Sequence, residues 1–156
     1  MNAILSLFVC WLMICLLNCV GADDPPRSLP VRSLARGAFS GIKEAKHEII
    51  RDTDGWEKFW KQHSVPGSSA AKIPAVNFSK EMAIAVTMGV KRTGGYTIEI
   101  VRVEMAGKTL RIFVKQTSPP PGALTIQALT APFHFVAVPR SDLKAEFVED
   151  KPAVKQ

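Results

Sequence analysis

The stretch MAIAVTM, Met82 to Met88, constrains the fold more than any other in the chain. Large apolar side chains at 82, 84, 86 and 88 alternate with Ala83, Ala85 and Thr87, so a strand built here is apolar on both faces, one crowded and one shallow. Such a strand belongs in the middle of a sheet, and its shallow face leaves room for a helix. DTDGWEKFWKQH supplies one: Trp56, Phe59, Trp60 and His63 recur at i, i+3, i+4 and i+7, the spacing of a single helix face. Asp54 with Glu57 three residues later marks its start, and VPGSSAAKIP ends it and forms a loop.

The remaining apolar runs have period two. Ala38 to Ile42 and Lys46 to Arg51 read as short strands joined by a turn, with Phe39, Ile42, Ile49 and Ile50 as their apolar members. Tyr96, Ile98 and Ile100 alternate until Val101 and Val103 take over the apolar phase, which predicts a bulge near Ile100. Ala106-Gly107-Lys108 turns the chain into Leu110, Ile112 and Val114, completing a hairpin. Pro119 to Pro121 impose a polyproline segment before a strand through Leu124 and Ile126, a further strand runs from Phe133 to Val138 and stops at Pro139, and Leu143 to Val148 supplies a last one. About seven or eight strands and one helix, with no βα alternation, give a mainly β fold: an antiparallel β sandwich or strongly curved sheet with one packed short helix, an α+β arrangement being the alternative.

Around this domain, read as 37–149, lie three other segments. The apolar run from Ala3 to Leu17, followed by Val20-Gly21-Ala22, has the form of a signal peptide over 1–22 cut after Ala22. A retained membrane anchor and lipidation at Cys19, within Leu16-Leu17-Asn18-Cys19, stand beside it as alternatives. Residues 23–36, with Pro25, Pro26 and Pro30, read as a proline-rich linker, and 150–156 as a disordered tail. Cys10, Cys15 and Cys19 all fall in the leader, so a chain cut after Ala22 has no disulfide, thiolate metal site or cysteine nucleophile. The signal places the protein outside the cytoplasm, in the periplasm, at the cell surface or beyond it.

The net charge is +6, but the cations are scattered and no aromatic residues interleave with them, which argues against nucleic acid and leaves an anionic envelope surface as the better match. Little supports catalysis. His47, His63 and His134 fall in different elements without metal-ligand spacing. GAFSG, Gly37 to Gly41, carries its serine in the fourth position where a nucleophile elbow needs it in the third. Asp52, Asp54 and Glu57 cluster as capping and dipole partners of the helix, and the Trp56, Phe59, Trp60 stripe reads as core. No enzyme activity, cofactor or metal is expected. Two loops are better candidates for reading a partner: KRTGGY, with Thr93, Gly94, Gly95 and Tyr96, and TSPPPG, with Pro119, Pro120, Pro121 and Gly122. Glycine makes one permissive and proline makes the other rigid, and as ordinary turns feeding strands they carry an equally good structural reading.

The blocks WEKFWKQH, VNFSKEMAIAVTMG, RTGGYTIEI, TSPPPGALTIQALTAPFHFVAVPR and a closing Ala145-Glu146-Phe147-Val148 occur in an order that resembles the PrcB C-terminal-domain family over nearly all of Gly37 to Val148. The family takes its name from a secreted lipoprotein subunit that stabilises a surface protease complex. The resemblance therefore implies an exported, non-catalytic protein-binding module whose partner is a protease or its complex. A looser similarity links Thr93-Gly94-Gly95-Tyr96 to an inhibitory loop of chagasin-type cysteine-protease inhibitors, whose Arg-Pro-Trp loop has no counterpart here, so direct peptidase inhibition is the second expectation. A membrane tether through the N-terminal segment is compatible with either.

Overall fold

A computed structural model describes residues 25–65 and 72–150. The expected signal peptide at 1–22, the three cysteines and the tail from 151 lie outside the described residues. One sheet contains β1 (Arg27–Leu29), β5 (Thr97–Ala106), β6 (Thr109–Thr117) and β8 (Lys144–Glu149), in the order β1-β5-β6-β8. The other contains β2 (Arg32–Gly37), β3 (Ala45–Ile50), β4 (Glu81–Met88) and β7 (Phe133–Pro139), in the order β2-β7-β4-β3. Every pairing is antiparallel except β6 with β8. With the helix α1 (Thr53–His63) on one face, this is the mainly β sandwich that the periodicity predicts.

β4 sorts its side chains as its alternation requires. Met82, Ile84, Val86 and Met88 point between the sheets, where they meet Ile98, Ile100 and Val103 of β5 and Leu110, Ile112 and Val114 of β6. Ala83 and Ala85 turn to the other face, where with Phe133 and Phe135 of β7 they receive Trp56, Phe59 and Trp60. The small side chains let the helix approach, and the rings fill the gap edge to face: Phe59 and Phe135 lie 5.1 Å apart at 78°. The cap is Asp52 rather than Asp54. Its extended backbone, at φ −143, lets its carboxylate accept from Gly55 N at 2.7 Å, while Asp54 falls in the first turn. The register of β5 against β6 shifts between Ile100 and Arg102. Val101 is the extra residue turned outward, which returns Val103 to the core.

Four expectations need correction. The stretch 23–36 is not a spacer from Arg27 onward: β1 pairs with β5 and β2 with β7, one edge strand for each sheet. Pro25, Pro26 and Pro30 sit outside the paired residues, so they cost no ladder hydrogen bonds, while Leu29 packs on one core and Leu34 on the other. Ala38 to Ile42 is a loop, and Phe39 lies exposed at its crest. No strand passes through Leu124 and Ile126 either; 118–132 is an irregular crossing from one sheet to the other. Asp150, placed in the tail, is tied down by Asp150 N donating to Val114 O at 2.8 Å.

Candidate functional site

β2 and β3 are opposite edges of one sheet, so the connection 38–44 must cross the ends of the two strands between them. It does so under a set of backbone bonds. Ala131 N donates to Ala38 O at 2.7 Å, Ser40 N to Ala131 O at 3.0 Å and Val90 N to Lys43 O at 3.0 Å. The end of α1 is drawn in as well, Gly41 N donating to His63 O at 2.7 Å and so satisfying a terminal helix carbonyl. The approach is too close for a side chain: a Cβ on Gly41 would lie 2.7 Å from Gln62 O and 3.0 Å from both His63 O and Ser64 O. That contact is the purpose of the second glycine in GAFSG.

Ser40 and His63 meet beside it, Oγ to Nδ1 at 3.0 Å, and Ser40 Oγ also accepts from Ile42 N at 3.1 Å. The imidazole stands edge-on to Phe133 and Phe135, and burial pushes its pKa down to about 4, so it is neutral at pH 7. Such a ring is a weak base, and the amides of Gly41 and Ile42 are already engaged. The pair is built to fasten the loop to the helix rather than to activate a nucleophile.

The two loops singled out by their glycines and prolines lie against each other at this same end. Gly94 N donates to Ile126 O at 3.0 Å, and Thr130 Oγ1 to Thr93 O at 2.9 Å. A Cβ on Gly94 would come within 2.6 Å of Ile126 Cγ1; Gly95 adopts φ +87 with Pro119 Cβ 3.0 Å from its own missing Cβ. Pro120 to Ala123 forms a turn closed by Ala123 N donating to Pro120 O at 3.1 Å, with Gly122 at φ +78, so Pro121 and Gly122 hold the central positions of a type II turn. Tyr96 is half-buried against the inter-sheet core, with Lys91 Nζ 5.5 Å from its ring centroid. Gly94 and Gly95 therefore set the spacing of the loops, and Pro120, Pro121 and Gly122 are exposed at the surface.

Residues outside those two motifs supply most of the surface. Phe39 (61 % exposed), Ile126 (66 %), Leu129 (68 %), Val90 and the fully exposed Leu124 all lie in the connections at this end. Phe39, Val90, Leu129 and Val65 line a groove of about 580 Å³ whose floor includes Ser40, Thr130 and Ala131 and whose wall includes Lys43. Their signal in the sequence was present but ambiguous, because apolar residues in alternation read as strands unless the sheet has no place for them.

The third buried side chain of chemical interest, His134, joins the two sheets. Its Nδ1 accepts from Ile100 N at 3.0 Å, at the bulge, and its Nε2 lies 3.1 Å from Ser33 Oγ. Burial lowers its pKa, and the Arg36 guanidinium lowers it further against the opposing Glu99 carboxylate. Arg36 and Glu99 themselves pair at 2.9 Å. His47 stacks on Phe147 at 4.6 Å. Among the described residues no group of three or more histidines, cysteines or acids is placed to hold a metal, and no helix is long and apolar enough to cross a membrane.

No curated protein and no solved structure matches the chain. The family model described as PrcB C-terminal matches residues 82–139, which run from the first fully buried residue of β4 to the last residue of β7. The match includes the loops 89–96 and 118–132 and the four strands, β4 to β7, that supply the fully buried residues of the inter-sheet core. Over this segment, the chain is similar to the PrcB C-terminal family.

Proposed function

We propose that this protein is an exported, non-catalytic module that binds another protein and serves as a stabilising subunit of an extracytoplasmic protease complex. The match to the PrcB C-terminal family model supports the association with a protease complex. The observation that carries the contact face is the convergence of 38–44, 89–96 and 118–132 at one end of the sandwich, with exposed Phe39, Val90, Leu124, Ile126 and Leu129 among them. Exposed apolar side chains gathered at one end of a domain are a feature of interaction sites. Thr93 to Tyr96 and Pro119 to Gly122 hold that surface in shape and form its rim. Export would rest on the apolar leader at 1–22.

The test is capture of envelope and secreted proteins of the source organism on the tagged chain, beside a Leu129→Asp variant. A peptidase or its accessory chain retained by the first and lost by the second is the expected result. Equal retention by both would move the contact face elsewhere, and recovery of no peptidase-associated chain would sink the complex-subunit reading.

The side-by-side placement of 93–96 and 118–122 at one end also favours direct peptidase inhibition as a second reading, since paired loops can enter a cleft. Titration against papain-like and serine peptidases separates the two. Stoichiometric loss of activity indicates inhibition, and undiminished activity indicates a subunit.

A further inference from the structure

Among the described residues, cations without an ion pair occur in several places, Lys58, Lys61, Lys108 and Lys144 among them, and three lie around the groove. Away from the groove, Arg32 pairs with Glu81 at 2.8 Å, Arg36 with Glu99 at 2.9 Å, Lys46 with Glu48 at 2.6 Å and Arg102 with Glu104 at 3.0 Å. Around it, Lys43, Lys91 and Arg92 make no ion pair among the described residues. Glu44 is the only carboxylate in the connections 38–44, 89–96 and 118–132. Lys43 stands in the groove wall, and Lys91 and Arg92 follow the groove residue Val90 in the same loop. An apolar trough of about 580 Å³ with uncompensated positive charge at its edge has a complement of definite chemistry.

We infer that this groove takes an extended peptide segment of the partner in which a large apolar side chain sits beside an acidic one. The apolar side chain would lie between Phe39, Val90 and Leu129, and the carboxylate would meet Lys43 or Arg92. A concave trough fits a side chain better than a lipid surface, for which the apolar residues would have to form a projecting tip. The inference rests on the protein-binding reading above and adds the chemistry of what is bound.

Random peptides displayed on phage and selected on the full chain test it directly. Enriched peptides would be measured singly by fluorescence anisotropy against the chain, Lys43→Glu/Arg92→Glu and Leu129→Asp. All three substitutions are at exposed positions, so circular dichroism should show an unchanged fold. The expected result is enrichment of Asp or Glu adjacent to Leu, Phe or Met, weakening at high salt, and binding roughly tenfold or more weaker in both variants. Three outcomes would overturn the inference: no enrichment, enrichment without an acidic residue, or equal binding by the charge-reversed variant. Co-sedimentation with phosphatidylglycerol vesicles, in the absence of enriched peptides, would assign the surface to anionic lipid instead. Partner capture that depends on Leu129 but shows no acidic preference would remove the peptide chemistry and leave the protein-binding reading standing. Loss of both would remove both.

Discussion

Gly41 occupies a position that no other residue can fill without moving backbone. Its neighbours within 3.0 Å of an added Cβ are three carbonyl oxygens at the end of α1, not flexible side-chain tips. Gly41→Ala should cost on the order of 2 kcal/mol in urea unfolding and disturb the Ser40 and His63 contact. A change under about 0.5 kcal/mol would show that the loop does not press on the helix as described. Leu129→Asp should behave in the opposite way. With its side chain largely in solvent it should leave stability within about 0.5 kcal/mol of the parent while weakening partner binding, which makes it a cleaner probe than Gly95, where the left-handed backbone adds strain to any substitution. At this scale the sequence marked Gly94 and Gly95 as special, but the reason, the approach of Ile126 and Pro119 from a loop more than twenty residues away, belongs to the tertiary structure.

At the scale of elements, α1 and its two ends are the most informative. Asp52→Ala should lower stability by about 1 kcal/mol, and Asp54→Ala by less, because only Asp52 accepts a helix amide. Equal losses by thermal denaturation would mean that both act through the helix dipole alone. The other end carries His63, neutral when folded, with its pKa pushed by burial to about 4. Below the unfolded value of 6.5 the unfolded chain binds the proton first, so the contribution of the neutral ring is complete above about pH 6.5 and is lost as pH falls toward 4. His134, also lowered by burial, acts in the same direction. Stability measured in urea should therefore drop by on the order of 2 kcal/mol between pH 7 and 4.5, with a shallower slope in His63→Gln. An unchanged slope in that variant would place the acid sensitivity elsewhere. The helix was legible from its four-residue stripe; its cap was not, since Asp52 and Asp54 are equally good by composition and only the backbone at 52 chooses between them.

For the whole molecule, the layer order is the testable claim. Ala85→Leu would drive extra methylenes between β4 and the aromatic face of α1 and should cost about 1–3 kcal/mol, measurable by chemical denaturation. A neutral outcome would mean that the helix does not rest on the alanine face. Removing residues 25–37 should be far worse than removing a linker. It takes the edge strand from each sheet, together with Leu29, Leu34 and the Arg36 to Glu99 pair, and leaves β5 and β7 with open edges. A deletion that remained monomeric and cooperative would contradict the pairing of β1 and β2.

What the sequence determined by itself was everything set by short-range period. The two unequal faces of β4, the aromatic stripe of α1, the bulge after Ile100, the hairpin at Gly107 and the strand that stops at Pro139 all follow from side chains within a few residues of one another. The tertiary structure decided the rest. It recruited a proline-flanked segment into both sheets because open edges need partners. It also denied strand pairing to 38–42 and 118–132 because those segments have to cross between strands already paired. Phe39 and Leu129, refused by the core, were left at one end of the sandwich, and there they line the groove.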